Sequence, residues 1–449
     1  MKWLARFAMI STVCFASAFA AVESLAAEPS AAVLANWHQW RGPLATGVAP
    51  QADPPTEWTE TKNVAWKVAM PGRGNATPII WEDRVFVVTV VPTEKIDPDK
   101  ADPATQPERP FGIKFPNNFH QYVTLCLDRD TGKELWRQVA AEKVPHSGTH
   151  NDNTYASASP TTDGKRLYVW FGSVGLFCYS LDGELLWERE FPEVETRVSF
   201  GEGASPVLHG DRLVLVRDHE GADTIEAFDA KTGEMLWREE RDEPTTWSTP
   251  LIVEHAGRTQ VVTNGKNRVR SYDLADGSLI WECGGQVDNV TPSPVARDGV
   301  VYCASGYRGS ALQAISLDST GDVTGTDKVL WSLDRNTPYV PSLLLYDDLL
   351  YYTQSNEAIV SCVDADTGES VFERSRLEGI RGLYASPVGA AEKVYFAGRD
   401  GGCVVAKKGP EFEILATNEL DDGFDASPAI AGKQLFLRGR QNLYCIEAK

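Results

Sequence analysis

The stretch Asp128-Arg-Asp-Thr-Gly-Lys-Glu-Leu-Trp136 returns as Asp229-Ala-Lys-Thr-Gly-Glu-Met-Leu-Trp237, as Asp273-Leu-Ala-Asp-Gly-Ser-Leu-Ile-Trp281 and as Asp364-Ala-Asp-Thr-Gly-Glu-Ser-Val-Phe372. A shorter copy is Leu181-Asp-Gly-Glu-Leu-Leu-Trp187, one with an insertion ends at Trp331, a degraded one ends near Ile414, and Asn63-Val-Ala-Trp66 keeps only the last strand. Each copy follows a β-rich run such as Tyr122 to Leu127, and further upstream lie a Ser-Pro or Thr-Pro step and another such run, for example Arg166 to Phe171. Period-2 runs bounded by Gly and Asp turns predict strands, four per repeat. Repeats of 41 to 51 residues without helical periodicity predict the blades of a β-propeller. The Asp accepts nearby backbone N–H groups and the Gly supplies positive φ, so the third and fourth strands join by a tight hairpin. The tryptophans are expected to be buried against the neighbouring blade.

Eight copies predict an all-β, eight-bladed propeller of four-stranded antiparallel blades. The last copy supplies three strands, Ala426 to Ile430, Gln434 to Leu437 and Leu443 to Ile446, whereas Asn63 to Val68 is an outer strand without partners. Joining the N- and C-terminal strands closes the ring and leaves no open junction between blades.

Outside the repeats, Lys2 and Arg6 precede an apolar run from Phe7 to Val22, which fits a secretory signal better than a membrane span. The division expected is a signal peptide over 1–27, an N-terminal extension over 28–62, and the propeller over 63–449 with a loop insertion at 91–120. Cleavage after Ala20 or after Ala26 both fit, an uncleaved anchor is the alternative, and the surroundings of Cys14 do not predict a lipid anchor. The chain of 449 residues carries 43 basic against 63 acidic side chains, a net charge of −20. That balance argues against nucleic acid and against an anionic membrane surface as partners. A periplasmic or secreted protein without an integral membrane segment after signal cleavage is expected.

The repeat motif, together with Asn36-Trp-His-Gln-Trp-Arg-Gly-Pro43, resembles the secreted bacterial propellers with pyrroloquinoline quinone (PQQ)-like repeats. That group includes the BamB-type assembly lipoproteins and, more distantly, the quinoprotein alcohol dehydrogenases. The resemblance implies the fold and two kinds of function. One is a binding or scaffold module for a protein, peptide or glycan, working through the channel mouth and the long-loop face, with no cofactor. The alternative is an oxidoreductase holding PQQ with Ca²⁺ and acting on an alcohol or sugar. The quinoproteins resembled here cover their cofactor with a disulfide between adjacent cysteines. This chain has no Cys-Cys pair, so the binding role is expected and catalytic residues are not assigned.

Strand order predicts where a site lies. The fourth-to-first connections and the second-to-third loops share one face, and the long segments Val91 to His120, Ala140 to Ala156, Arg189 to Ala204 and Asp218 to Gly221 all fall on it. Residues just before each inner strand are expected to converge on the channel mouth: Asn75, Tyr155, Trp247, Tyr339, Tyr384 and Asp425, with Arg73, Arg197, Glu202, Asp288 and Arg381 beside them. Aromatic rings mixed with both charge signs suit a polar ligand. His146, His150 and Asp152, or Asp218, His219 and Glu220, carry ligand types a metal accepts, but their spacing compels no site and none is predicted. Cys126, Cys178, Cys362, Cys403 and Cys445 occupy similar places in third strands where other copies have Ala227, Ser271 and Ala314. A small buried side chain is wanted there, and equivalent places in different blades lie too far apart for disulfides.

Overall fold

A computed structural model describes residues 29–448, so the expected signal segment and Cys14 lie outside the described residues. The chain forms eight sheets, each built on four antiparallel strands in which each strand pairs with the next. Blade 1 is Ile79–Trp81, Arg84–Ile96, Asn118–Asp128 and Glu134–Lys143; blade 2 is Thr161–Thr162, Arg166–Trp170, Leu176–Ser180 and Leu185–Arg189; blade 3 is Val207–His209, Arg212–Arg217, Thr224–Asp229 and Met235–Glu240. Blade 4 is Leu251–His255, Arg258–Asn264, Val269–Asp273 and Leu279–Cys283; blade 5 is Val295–Arg297, Val300–Ser305, Ala311–Ser316 and Val329–Leu333; blade 6 is Leu344–Tyr346, Leu349–Thr353, Ile359–Asp364 and Ser370–Arg376. Blade 7 is Val388–Ala390, Lys393–Ala397, Gly402–Lys407 and Ile414–Glu419. Blade 8 takes Ala429–Ala431, Gln434–Arg438 and Asn442–Ile446 from the C-terminus and its outer strand, Val64–Ala69, from the N-terminus, paired as Lys67 to Tyr444 and Ala69 to Asn442. The ring closes as expected.

The repeat motif works across the seams between blades. In the hairpins, Asp128, Asp229 and Asp364 each accept the backbone N–H of the Thr three residues on, at 2.7 to 2.9 Å. The following Gly has φ near +70° and lies against the Trp of the preceding blade, so that a Cβ on Gly132 would sit 2.7 Å from the Trp66 ring, and one on Gly233 the same distance from Trp187. The indole N–H completes the joint: Trp66 donates to Arg129 O, Trp136 to Leu181 O and Trp237 to Leu274 O, at 2.8 to 2.9 Å. The glycine is therefore required twice, for its backbone angle and for its missing side chain. Trp281 departs from this pattern and donates to Gln260 within its own blade. In blade 5 the insertion before the outer strand instead lays Gly321–Asp322 parallel to the outer strand of blade 4.

A second joint rings the channel. The backbone N–H of each Ser or Thr before an inner strand donates to the hydroxyl of its counterpart in the next blade: Thr77 to Ser159, Ser159 to Ser205, Ser205 to Thr249, Thr249 to Ser293, Ser293 to Ser342, Ser342 to Ser386 and Ser386 to Ser427, at 2.9 to 3.2 Å. Thr77 closes the circle by donating its hydroxyl to Ser427 O at 3.0 Å. The proline after seven of these residues has no N–H of its own. In blade 6 Ser342 keeps the joint without it.

Two expectations are corrected. The insertion at 91–120 is not all loop: strand pairing continues through Val91 with Gln121 and Pro92 with His120, then breaks before Ile96 pairs with Asn118. The loop proper is 97–117. Cys403 does not share the place of the other third-strand cysteines. Cys126, Cys178, Cys362 and Cys445 stand opposite Trp136, Trp187, Phe372 and Trp66, whereas Cys403 faces Asn418 and the equivalent residue is Val405. A small third-strand side chain is needed where the outer-strand aromatic lies across it. The N-terminal extension is packed onto the propeller. It crosses the face opposite the long loops, with Trp37 bridging to Ile80, His38 O accepting Thr162 N, Arg41 reaching Leu343 O and Pro387 O, Ala49 N donating to Gly389 O, and Asp53 N to Gly432 O.

Candidate functional site

The extension turns the channel into a blind pocket. Trp40 lies across its lower end, its indole N–H donating to Ser293 Oγ at 2.9 Å. Arg41 clamps the segment from within the protein. Its Nη1 lies 2.8 Å from Pro387 O and its Nη2 2.6 Å from Leu343 O, and burial lowers its basicity. Above Trp40 a cavity of about 350 Å³ opens toward the long-loop face, within the range of small-molecule sites, roughly 300 to 1,000 Å³.

The cavity walls divide into two kinds. One side is formed by Tyr384, Asp152 and Asp425, and behind them Arg399, from the second-to-third loop of blade 7, stacks over Tyr384 at 3.8 Å and reaches both carboxylates, with Nη2 2.5 Å from Asp152 Oδ1 and Nε 2.6 Å from Asp425 Oδ1. Tyr384 donates its hydroxyl to Asp152 Oδ2 at 2.9 Å, and Arg440 Nε lies 3.0 Å from Asp425 Oδ2. Burial pushes the Asp152 carboxyl up, but the Arg399 and Tyr384 hydrogen bonds outweigh it and hold the group below the usual carboxylate range. Burial, reinforced by Asp152, raises the Tyr384 phenol, so that it remains a donor at neutral pH. Two guanidinium groups against two carboxylates leave this wall electrically neutral.

The other wall is aromatic. Trp247 is fixed by its indole N–H to Gly201 O at 2.7 Å, and Phe200 tilts beside it with ring centroids 6.2 Å apart. Phe111 from the blade 1 insertion, His150 and Phe200 meet edge to face at 4.9 to 5.3 Å. Phe111 is 60% exposed, and both it (φ 59°) and Val198 (φ 52°) are held in the left-handed region. For the β-branched Val198 this is a strained geometry of the kind that clusters at binding loops. Tyr307 and Tyr339 stack at 5.0 Å on the remaining side.

Of the residues expected at the channel mouth, Asn75, Trp247, Tyr339, Tyr384 and Asp425 line this cavity. Tyr155 and Glu202 do not. They face a separate side cavity of about 40 Å³, where Glu202 accepts the Ser173 N–H and hydroxyl and Tyr155 donates to Ser147 O. Arg73, Arg197, Asp288 and Arg381 are also absent from the lining. Arg73 is exposed and donates to Asn151 O, Asp288 is drawn to Lys266 at 2.6 Å with Arg197 at 3.9 Å, and Arg381 is 92% exposed beside Asp400. A position before an inner strand fixes where the backbone enters the channel, whereas a long side chain swings to whichever acceptor or opposite charge lies in reach, a backbone carbonyl for Arg73 and a charged partner for Asp288 and Arg381. Trp40, Phe111, Phe200, Arg399 behind the wall and the hydroxyl ring were missed, and His150 and Asp152 were singled out only for metal-ligand chemistry. The Ser-Pro and Thr-Pro steps were a legible signal for the ring, and the loop rule covers Arg399. Trp40 falls in the Asn36 to Pro43 stretch that carried the resemblance, but nothing local marks it as a pocket residue.

The histidine and carboxylate sets considered for metals have other partners. His146 Nε2 meets Val194 O, Asp218 is bound by Arg241, and Glu220 accepts Thr245. Among the described residues no three His, Cys, Asp or Glu side chains cluster as a metal would need.

A closed ring of eight blades, floored by its own N-terminal segment and open at a face of aromatic loops, defines a propeller with a blind central pocket. Residues 120–374 match the family described as outer membrane protein assembly factor BamB, and the chain belongs to that family. BamB of Yersinia pestis is 26% identical over 343 residues, covering 71% of this chain and 78% of the relative. Among solved structures, BamB from Moraxella catarrhalis aligns with a TM-score of 0.52 at 15% identity, over 80% of this chain and 98% of that one. Quinohemoprotein alcohol dehydrogenase from Comamonas testosteroni aligns with a TM-score of 0.63 at 11% identity, over 93% and 82%. The two structural likenesses establish the fold alone.

Proposed function

We propose that this protein is an exported binding scaffold of the cell envelope that recognises its partner through the channel mouth and the long-loop face. The observation that carries the reading is the pocket itself, blind at Trp40 and rimmed by the strained, exposed Phe111 with His150 and Phe200. Exposed aromatics on preformed loops are the usual anchors of recognition surfaces. Relatives described as assembly factors support a protein partner, with a peptide or glycan as the other occupant the rim chemistry suits. A periplasmic or secreted location agrees with this, and among the described residues no helix is long and apolar enough to cross a membrane.

The quinoprotein alternative fits the pocket poorly. Ca²⁺ takes six to eight oxygens, carboxylates prominent among them. The carboxylates lining the pocket are Asp152 and Asp425, and all four of their oxygens already accept hydrogen bonds, three of them from arginines. Two guanidinium groups would repel a cation brought to the same oxygens.

A photo-crosslinking residue placed at 111, with a control at exposed Lys231 on the hairpin face, tests the scaffold reading in cells of the source organism. Adducts from 111 and not from 231 are expected. Equal adducts from both positions, or dye-linked oxidation of an alcohol or sugar by protein supplied with PQQ and Ca²⁺, would overturn it.

A further inference from the structure

The hydroxyl ring that joins the blades has unused capacity. Ser205, Thr249, Ser342, Ser386 and Ser427 line the cavity, and the hydroxyl of each accepts a backbone N–H from the neighbouring blade. Among the described residues none of the five donates to a protein acceptor. A hydroxyl carries one donor and two lone pairs, so five O–H groups at 2% to 4% exposure stand ready for oxygens brought into the channel. A ligand that satisfies them offers several acceptor oxygens spread over one small body.

The rest of the pocket narrows its chemistry. Arg399 and Arg440 are balanced by Asp152 and Asp425 at 2.5 to 3.0 Å, so an anion would compete with two carboxylates for guanidinium groups already engaged. A cation would compete with the arginines. A neutral ligand disturbs neither pair and draws on the lone pairs the carboxylates retain. The flat faces of Trp247 and Tyr339, with Trp40 below, suit a body with an apolar C–H face. Several neutral oxygens on a compact frame with an apolar face describe a sugar ring.

We propose that the blind channel is a saccharide site which takes the uncharged terminal one or two rings of a glycan. The ring would enter past Phe111, its hydroxyls bridging Asp152, Asp425 and the serine crown and its C–H face lying against Trp247. The proposal rests on the binding reading above but makes a separate claim, because a rim that docks a protein needs no occupant in the channel.

The test uses the full mature chain and follows tryptophan emission, with calorimetry as a second readout. The probes are cellobiose, maltose and N-acetylglucosamine as neutral sugars, glucuronate and inorganic phosphate as anions, and the tripeptide Gly-Phe-Gly. At least one neutral sugar is expected to saturate with a dissociation constant of about 1 mM or tighter. Its binding should weaken about tenfold or more, roughly 1.4 kcal/mol, in Trp247→Ala and in Tyr384→Phe, and remain unchanged in the rim variant Arg381→Ala. Tyr384→Phe removes one hydroxyl and keeps the ring, so the test survives if Trp247→Ala misfolds. No neutral sugar saturating at that level, or glucuronate, phosphate or the tripeptide binding more tightly than every neutral sugar, would overturn the proposal. In either case position 111 would still crosslink a protein partner if the scaffold reading holds.

Discussion

The contact between Trp237 and Gly277 provides a quantitative check on how the repeat motif holds the ring together. A Cβ built on Gly277 lies 2.7 Å from Trp237 Cε3 and 2.9 Å from Cδ2, and the backbone there has φ +81°. Gly277→Ala should therefore pay twice: about 1 to 2 kcal/mol for a left-handed alanine, and roughly 1 to 3 kcal/mol for overpacking against a ring with no room to retreat. Trp237 is buried and its indole N–H bonds to Leu274 O at 2.9 Å, so Trp237→Ala alone should destabilise by about 3 to 5 kcal/mol. Without the indole the nearest contact left is Glu239 Cγ at 3.1 Å, on a flexible side chain that can move aside. In the Trp237→Ala background Gly277→Ala should lose only the backbone part, giving a favourable coupling of about 1 to 3 kcal/mol in a double-mutant cycle. Denaturant unfolding followed by circular dichroism would measure the four proteins, provided the m-values agree. A cycle additive to within about 0.5 kcal/mol would refute the idea that this glycine is required for its missing side chain as well as for its angle.

Arg41→Ala should destabilise by about 2 to 6 kcal/mol, since Leu343 O and Pro387 O lose their donor and buried orphans cost roughly 1 to 3 kcal/mol each. Arg41→Lys should recover less than half, because one ammonium cannot replace a fork; recovery to wild-type stability in chemical unfolding would contradict the clamp. Burial, with Asp218 adding to it, pushes the Asp223 carboxyl up to about 7, so the folded state keeps a proton that the unfolded chain releases near its ordinary value, and stability should fall as pH rises through that interval. Asp223→Asn should then be more stable than wild type at pH 8, by at most about 4 kcal/mol, and little changed at pH 4; an equal gain at both would refute this. The seven cysteines among the described residues are buried free thiols, and burial pushes Cys126, Cys178 and Cys362 up to about 12. They should resist thiol reagents in native protein and react fully once denatured, and a denatured count short by two or more would mean a disulfide.

The sequence by itself determined the ring. Asp-x-x-Thr-Gly followed by Trp is a local device whose turn chemistry operates within a few residues, and its burial partner is the next copy of itself. Copy number, strand order and closure by Val64–Ala69 were therefore readable, as were the face carrying the long loops and the residues whose backbone enters the channel, such as Trp247 and Tyr384. Only the tertiary structure decided the pocket. Trp40 meets Ser293 across 253 residues and Arg399 meets Asp152 across 247, contacts that no local pattern encodes. Charged side chains near the mouth went to whichever opposite charge was nearest, which drew Asp288 to Lys266 and Arg381 to Asp400 and left Arg399 between two carboxylates. Periodicity places backbones in a repeat protein, whereas long polar side chains are placed by the local field and by the strands that happen to face them.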